Sequence, residues 1–395
     1  MNEKLRIEYG GKTGNTVEVI LNGRISASTA EYFGSEIDRI HFDDPEASLS
    51  LDMSGVELLS CGGIRVLMRF LRDHYDFVLH GVNHDVYMIL RFAGLTSILD
   101  VEKKVGDLSV EGCTLLGRGA NGGVYRLDNE TVVKVFEGRF DMDAVMRERT
   151  LAKKAFVAGV PTAISFGLAN VGGNPGLVFE LINAKSLAKL IGEDGENIGR
   201  YVDAYADAVR KIHAIGPEKL TDLPVEYEKD NFLSKITFLD RFLDRETSGR
   251  LSAFFSSLPD CDTLIHGDIQ PNNLMVTDGG LLFIDMDSLA KGSAVFDLAY
   301  LYRTVLLYWE TGDQKKFLSF DRTRSTELWE RFVRAYCGTD DPEVITGIER
   351  QCAVIGFVSI CCKLCRDRTG EDITNRMLLK LSEALADWEK KSTKQ

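Results

Sequence analysis

The residues best equipped for chemistry lie in the second half of the 395-residue chain. In His266-Gly267-Asp268-Ile269-Gln270-Pro271-Asn272-Asn273 a carboxylate and a carboxamide share one short loop, and the apolar run Leu281-Leu282-Phe283-Ile284 ends on Asp285, with Asp287 just beyond. That is the inventory of phosphoryl transfer. One carboxylate meets the acceptor hydroxyl, while an amide and a second carboxylate hold magnesium, which needs few protein oxygens because it keeps waters and phosphate oxygens in its shell. Upstream, Gly117-Arg118-Gly119-Ala120-Asn121-Gly122-Gly123-Val124 fits the pattern G-x-G-x-x-G-x-V. A dinucleotide loop of similar spacing opens a helix. Here Val124-Tyr125-Arg126-Leu127, Asn129-Glu130 and Thr131-Val132-Val133-Lys134-Val135-Phe136 follow, which predicts strand, turn and strand with a lysine inside a β-branched run. Glycines that let the backbone lie over phosphates, followed by a strand-borne lysine, match kinase architecture. For Lys134 by itself, the competing reading is a charge guarding a sheet edge.

These groups need a scaffold, and the chain supplies two blocks. Residues 1 to about 104 alternate strand and helix signals. Thr16–Leu21 reads as a strand closed by a turn at Asn22-Gly23, and Ser28-Thr29-Ala30-Glu31 as a cap before a helix marked by Phe33, Ile37 and Ile40. Ser48–Met53 and Phe77–Val82 are further strands. Gly62-Gly63 precedes a helix carrying Ile64, Val66, Leu67, Phe70 and Leu71, and another helix runs through Val86, Ile89, Leu90 and Ala93 to Gly94. Strands separated by helices predict an α/β domain. From Leu108 strand-like runs bracket the glycines, and helical patterns fill most of the chain from about 186. The joint Lys103-Lys104-Val105-Gly106-Asp107 is short and polar, and no internal repeat occurs.

Composition narrows the function classes. The chain is 44% hydrophobic and 27% charged, with 47 basic and 60 acidic residues for a net charge of −13. That is globular rather than disordered. A net-acidic chain without a dense basic patch repels phosphate backbones, so nucleic acid is excluded as a partner. The N-terminus lacks the apolar core of a signal peptide, and no segment approaches about 20 uninterrupted apolar residues, so no membrane role and a cytoplasmic location are expected. Eight scattered cysteines fit reduced thiols. Cys361-Cys362-Lys363-Leu364-Cys365 has a CxxC spacing with no second pair for zinc, and reads as the buried side of an apolar helix.

The first block resembles a STAS domain, the fold of bacterial anti-sigma-factor antagonists. The resemblance rests on Val17–Ala27, on Leu51-Asp52-Met53-Ser54-Gly55-Val56 and on Phe92-Ala93-Gly94-Leu95. It implies a protein-docking or sensing module. Where such domains usually read Asp-Ser-Ser-Gly, with the first serine phosphorylated by a cognate kinase, this chain reads Ser60-Cys61-Gly62-Gly63. Cys61 falls on the phosphorylated position, and Ser60 lies one residue earlier. A phosphate there would meet the free N–H groups of a helix start; otherwise Ser60 caps the helix and Cys61 is a small buried hydrophobe, favoured over a thiol activated by the helix dipole. The switch is therefore expected to be lost or moved.

The second block resembles the aminoglycoside phosphotransferase and choline kinase family, relatives of protein kinases, over roughly residues 110–395. The expected fold is thus an α/β STAS domain (1–104) followed by a bilobal α+β protein-kinase-like domain (108–395), with an N-lobe at 108–183 and a mostly helical C-lobe at 184–395. The resemblance implies Asp268 as catalytic base and Asn273 and Asp285 as Mg2+ ligands. For ATP it implies the loop residues Gly117, Gly119, Asn121 and Gly122, Lys134 on the phosphates with Glu148 as its ion-pair partner, and the hinge Val178-Phe179-Glu180-Leu181-Ile182 on adenine, with Glu180 and Ile182 bracketing it. Asp297, His213 and His266 are expected to be structural. Gln270 departs from a common histidine, and Asp287 adds a carboxylate.

Gly267 in place of arginine and the short Asp285–Asp297 interval disfavour a regulated protein kinase. The expected acceptor is a small hydroxyl-bearing molecule: an amino alcohol, an aminoglycoside or a sugar. Tyr300, Tyr302, Tyr308, Trp309 and Trp329 with the acidic balance suggest a cationic one. Two alternatives stay open: a regulatory protein that senses nucleotide without turnover, with a partner docked on STAS, and a kinase of a protein partner.

Overall fold

Period-two alternation commits one face of a strand to a core, and the computed structural model of the chain builds its first sheet on that rule. It describes residues 5–103, 107–119, 121–138, 140, 142–182, 184–216, 219, 225–277 and 280–392. They form two compact units, Met1–Met146 with Ser165–Leu181, and Arg147–Ile164 with Ile182–Gln395.

In the first unit β1 (Arg6–Thr13) pairs antiparallel with β2 (Thr16–Ile25), while β3 (Ser48–Leu59), β4 (Phe77–Val82) and β5 (Asp100–Lys103) add in parallel, in the order β1-β2-β3-β4-β5. The helices α1 (Ala30–Asp43), α2 (Cys61–Arg72) and α3 (His84–Phe92) make the crossovers. Val17, Val19 and Leu21 of β2 and Leu49, Leu51 and Met53 of β3 bury themselves against Phe33, Ile37, Leu67 and Phe70. Two local expectations fail. Asn22-Gly23 is not a turn: β2 runs through it to Ile25, and Gly23 at φ +104° sits where the register with β3 shifts. A bulge uses the same glycine freedom a turn does. Thr29 does occupy the cap position of α1, yet its hydroxyl makes no cap bond; it donates to the Arg24 carbonyl (2.7 Å) and accepts from the Ser26 N–H (2.8 Å).

The same unit holds a second sheet. Its strands are β6 (Asp107–Leu108), β7 (Thr114–Gly119), β8 (Gly122–Arg126), β9 (Thr131–Phe136), β10 (Gly167–Val171) and β11 (Asn174–Glu180), in the order β6-β10-β11-β9-β8-β7. Val133, Val135, Ala169, Val171 and Val178 form the core of one face. On the other, Phe136 and Leu177 pack on Val145 of α4 (Met142–Ala158), the helix within which the division between units falls.

The second unit is mostly helical: α5 (Leu187–Glu193), α6 (Ile198–His213), α7 (Glu228–Leu239), α8 (Arg245–Ser257), α9 (Val295–Val305), α10 (Arg322–Cys337), α11 (Pro342–Arg366) and α12 (Glu371–Ser392). Between them lie the short strands β12 (Lys185–Ser186), β13 (Leu264–Ile265), β14 (Leu274–Thr277), β15 (Gly280–Phe283) and β16 (Ala290–Lys291), paired as β12-β14-β15 and β13-β16. Phe232, Phe254, Phe255, Phe296, Trp329 and Phe332 belong to one continuous core. Helix α11 is long and apolar enough to cross a membrane by length and composition, contrary to the expectation from uninterrupted runs. Its buried residues, among them Cys361, Cys362 and Cys365, are part of that core.

Candidate active site

An antiparallel strand pair and a short hairpin hold the loop from His266 to Asn273. Pairing of β13 with β16 aligns Ile265 with Ala290, and pairing of β14 with β15 aligns Leu274 with Phe283. Asn273 and Asp285 are thereby brought to the same end of one hairpin, where the Ile284 N–H donates to the Asn273 carbonyl (2.9 Å). Asp285 itself has φ +68°, a left-handed conformation that a non-glycine residue holds only under strain, and such outliers cluster at functional sites.

Asp297, at the start of α9 and fully buried, holds the loop from below. Its two oxygens accept the His266 N–H (2.8 Å) and the Gly267 N–H (2.8 Å), and Oδ2 also faces His213 Nε2 at 3.0 Å. A carboxylate accepts, so His213 donates from Nε2 and receives the Tyr336 hydroxyl on Nδ1 (2.7 Å). His266 is buried beside Phe283 and accepts the Asp268 N–H on Nδ1 (3.3 Å); burial pushes its pKa down, which favours the neutral ring. The fully buried Tyr205 donates its hydroxyl to the Ile269 carbonyl. Glycine at 267 is obligatory: φ is +80°, and a Cβ would lie 2.0 Å from the Ser288 carbonyl oxygen.

Asp268 is the group these bonds present. Its Oδ2 accepts from Gln270 Nε2 (2.8 Å) and Asn273 Nδ2 (2.9 Å), and the Asn273 amide also donates to the Asp268 carbonyl (3.0 Å). Oδ1 is left for a ligand. Because Asn273 spends its donor nitrogen on Asp268, its Oδ1 is the atom left over, and that is a hard oxygen suited to Mg2+. Burial raises the Asp268 pKa, opposed chiefly by the Arg303 charge and then by His266 and Gln270.

The first unit carries the other set. Gly117 and Gly119 of β7 have nothing within 4 Å of where a Cβ would stand, so the backbone there is open to approach. Gly122 is different, with φ +139° and a would-be Cβ 1.9 Å from the Val135 carbonyl oxygen. The Asn121 carbonyl accepts from the Glu137 N–H (3.0 Å). Lys134 sits in β9 opposite Val124 of β8 and Leu177 of β11, an interior strand, so it guards no edge. Glu180 ends β11 and pairs with Arg91 of α3 at 2.9 Å, while Tyr87 of α3 lies 5.5 Å from the Phe166 ring. Glu148 in α4 and Ile182 fall in the second unit, together with Asp268, Asn273 and Asp285.

Within the second unit a cleft of about 610 Å³ opens beside Asp268, lined also by Gly267, Asp287, Tyr300, Tyr308 and Arg303. The aromatic residues of the sequence separate here. Trp329 is buried against Tyr302, and Trp309 bonds the Val305 carbonyl (3.0 Å), leaving Tyr300 and Tyr308 in the cleft wall. Arg303, Lys235 and Glu228, also in that wall, carried no sequence signal beyond the spacing of Arg303 from Tyr300 on one helix.

In the first sheet's unit, Ser60 caps α2, accepting the Gly63 N–H on its hydroxyl at 3.4 Å. Cys61 is exposed, which corrects the expectation of a buried hydrophobe: as the first residue of α2 it lies on the outer side of the helix, whose buried residues are Gly63, Leu67 and Phe70.

Family models match both blocks. A STAS domain model matches residues 11–108, and the phosphotransferase enzyme family model matches residues 112–347. The chain belongs to the phosphotransferase enzyme family, with a STAS domain ahead of the kinase-like fold. That family is one of phosphotransferases. Among solved structures it is similar to an aminoglycoside 2'-phosphotransferase-IIIa variant with GDP (16% identity, 76% of this chain, 97% of that chain, TM-score 0.49). It is also similar to a choline/ethanolamine kinase family protein from Mesorhizobium loti (16%, 69% and 87%, 0.47) and to an amicoumacin kinase complex (15%, 77% and 94%, 0.45). No curated protein sequence matches it.

Proposed function

We propose that residues 108–395 transfer the γ-phosphate of ATP to a hydroxyl of a small molecule, with the N-lobe at 108–183 and the C-lobe at 184–395, and that residues 1–104 regulate or localise the enzyme by docking a protein partner in the cytoplasm. Asp268 carries the reading. Its Oδ2 is tied to two amides and its Oδ1 is free beside a cleft. Oδ1 receives the acceptor's proton as the acceptor oxygen bonds the γ-phosphorus. The bond from that phosphorus to the β,γ-bridging oxygen breaks, and its electron pair leaves with ADP.

Asn273 and Asp285 would hold Mg2+, with Asp287 beside them, and the ion when bound neutralises charge on the transferring phosphoryl group. Gly117, Gly119, Asn121 and Gly122 would cover the phosphates with open backbone, Lys134 would pair with them under Glu148, and the chain from Glu180 to Ile182 would meet adenine. Asp297 and Tyr205 position the loop and touch no reactant. Gly267 leaves no arginine in the motif for a phosphorylated activation segment to pair with, so a protein acceptor is the lesser reading.

The test is ADP release by the full chain with amino alcohols, aminoglycosides, sugars and nucleosides. Exclusion of water when the acceptor fills the cleft predicts slow ATP consumption alone and a sharp rise with the right acceptor. Phosphate appearing on a copurifying protein, with no small molecule accepted, transfers the assignment to a protein kinase.

A further inference from the structure

In a chain of net charge −13, the cleft beside Asp268 carries as many cationic as anionic side chains. Four cationic side chains, Lys235, Arg303, Lys363 and Arg366, reach its wall beside four carboxylates, Glu228, Asp268, Asp287 and Asp367. The carboxylate nearest Lys235 is already spent. Glu228 is buried, accepts the Tyr300 hydroxyl and the Asn231 amide (3.1 Å), and lies 3.5 Å from Lys235 Nζ. Lys363 is held 3.6 Å from Asp313. Arg303 has no such partner. Its Nε is buried without a hydrogen bond, and among the described residues it forms no ion pair, although its charge acts on Asp268 across the cleft. The half-buried guanidinium keeps a buried Nε–H without an acceptor, and arginine's planar fork is matched to carboxylate and phosphate.

The aromatic faces that would hold a cationic ligand are also taken. Arg303 lies 4.6 Å from the Tyr300 ring centre and 5.5 Å from that of Tyr308, and Lys363 lies 5.8 Å from the latter. A polycationic acceptor would meet protein cations where it needs ring faces, and like charges brought together in a cleft cost affinity. Burial lowers the Lys235 pKa; Glu228 opposes that shift and Arg303 adds to it.

We propose that this cleft takes an anionic acceptor, a polyol bearing a carboxylate or phosphate group, with the oxyanion seated on Arg303 and Lys235 and the hydroxyl beside Asp268. The proposal rests on the phosphotransferase reading of the same site and names its substrate class.

The experiment is calorimetric titration of the full chain, saturated with a non-hydrolysable ATP analogue and Mg2+ so that the nucleotide site is filled. The probes are gluconate and ribose 5-phosphate (carboxylate and phosphate sources), ribose as the neutral control, and ethanolamine and kanamycin as cations. At least one anionic probe should bind on the order of tenfold tighter than ribose, the scale of one charge-assisted hydrogen bond. Arg303→Met should erase that preference and Arg303→Lys should keep part of it. If Arg303→Met does not melt cooperatively, the wild-type ranking and the lysine variant decide. Equal binding of anionic and neutral probes, tighter binding of kanamycin or ethanolamine, or a preference untouched in both Arg303→Met and Lys235→Met overturns the proposal. Because binding is read without turnover, failure of transfer chemistry leaves it standing. A cationic probe that binds tightest and also releases ADP sinks the anionic subsite while sparing the transferase.

Discussion

The loop from His266 to Asn273 and the start of α2 in the STAS domain are both places where a short polar motif precedes a packed element, and they are built to different standards. At 266–273 a buried carboxylate, a buried tyrosine and two amides fix the backbone and one oxygen of Asp268. At 60–63 one serine hydroxyl makes a single long bond of 3.4 Å, and the residue at the expected phosphate-accepting position is an exposed thiol. The contrast teaches that a site committed to chemistry spends its neighbours on orienting one atom, whereas a helix cap satisfies one backbone donor and asks for little else.

The comparison breaks hardest at Asp268. Replacing it by Asn should cost about 10²–10⁴-fold in turnover, the usual worth of a positioned general base, with nucleotide binding retained. ADP release equal to wild type with every acceptor would remove Asp268 from the mechanism.

Asp297 should come next. Asp297→Ala strands two backbone N–H groups and His213, each a buried donor, and should lower stability by on the order of 3 kcal/mol, read as a shifted denaturation midpoint. An unchanged midpoint would mean that the loop does not hang on this carboxylate. Gly267→Ala forces a left-handed alanine, costing about 1–3 kcal/mol before its clash with the Ser288 carbonyl is counted.

A smaller effect concerns pH. A base works deprotonated, and burial raises the Asp268 pKa, so kcat/KM should fall on the acid side at a pH above the ordinary carboxylate value of about 4. Arg303 holds that pKa down, so Arg303→Met should move the acid limb further upward. A limb that stays in place, or moves down, means that the Arg303 charge does not act on Asp268.

The smallest effect is expected at the other site. Ser60→Ala should cost about 0.5 kcal/mol, the weak end for a cap whose bond is long. Incubation with an anti-sigma-type kinase should leave the STAS domain unphosphorylated, and mass spectrometry that finds phosphate on Ser60 would restore a switch there.

Much of this was legible in the chain because it depends on neighbours in sequence. The hairpin with its glycines, the strand bearing Lys134 and the loop from His266 to Asn273 are local patterns, and Phe77–Val82 appears as read. Strand β1 went unread because its residues are mostly exposed and Tyr9-Gly10-Gly11 breaks any alternation. The Asn22-Gly23 pair misled because a turn and a bulge ask the same of a glycine, and only the parallel partner β3 distinguishes them. The exposure of Cys61 depended on which side of α2 faces the sheet.

By itself the sequence determined which reactive groups exist, in what order, and on which kind of element, since spacing and turn chemistry act over a few residues. Only the tertiary structure decided that two amides converge on one oxygen of Asp268 and that a guanidinium with no ion-pair partner among the described residues lines the cleft beside it. Net charge sums over a whole surface. The field at one atom is set by burial and by the few groups within several ångströms of it, and those come from α7, α9 and α11, far apart in the chain.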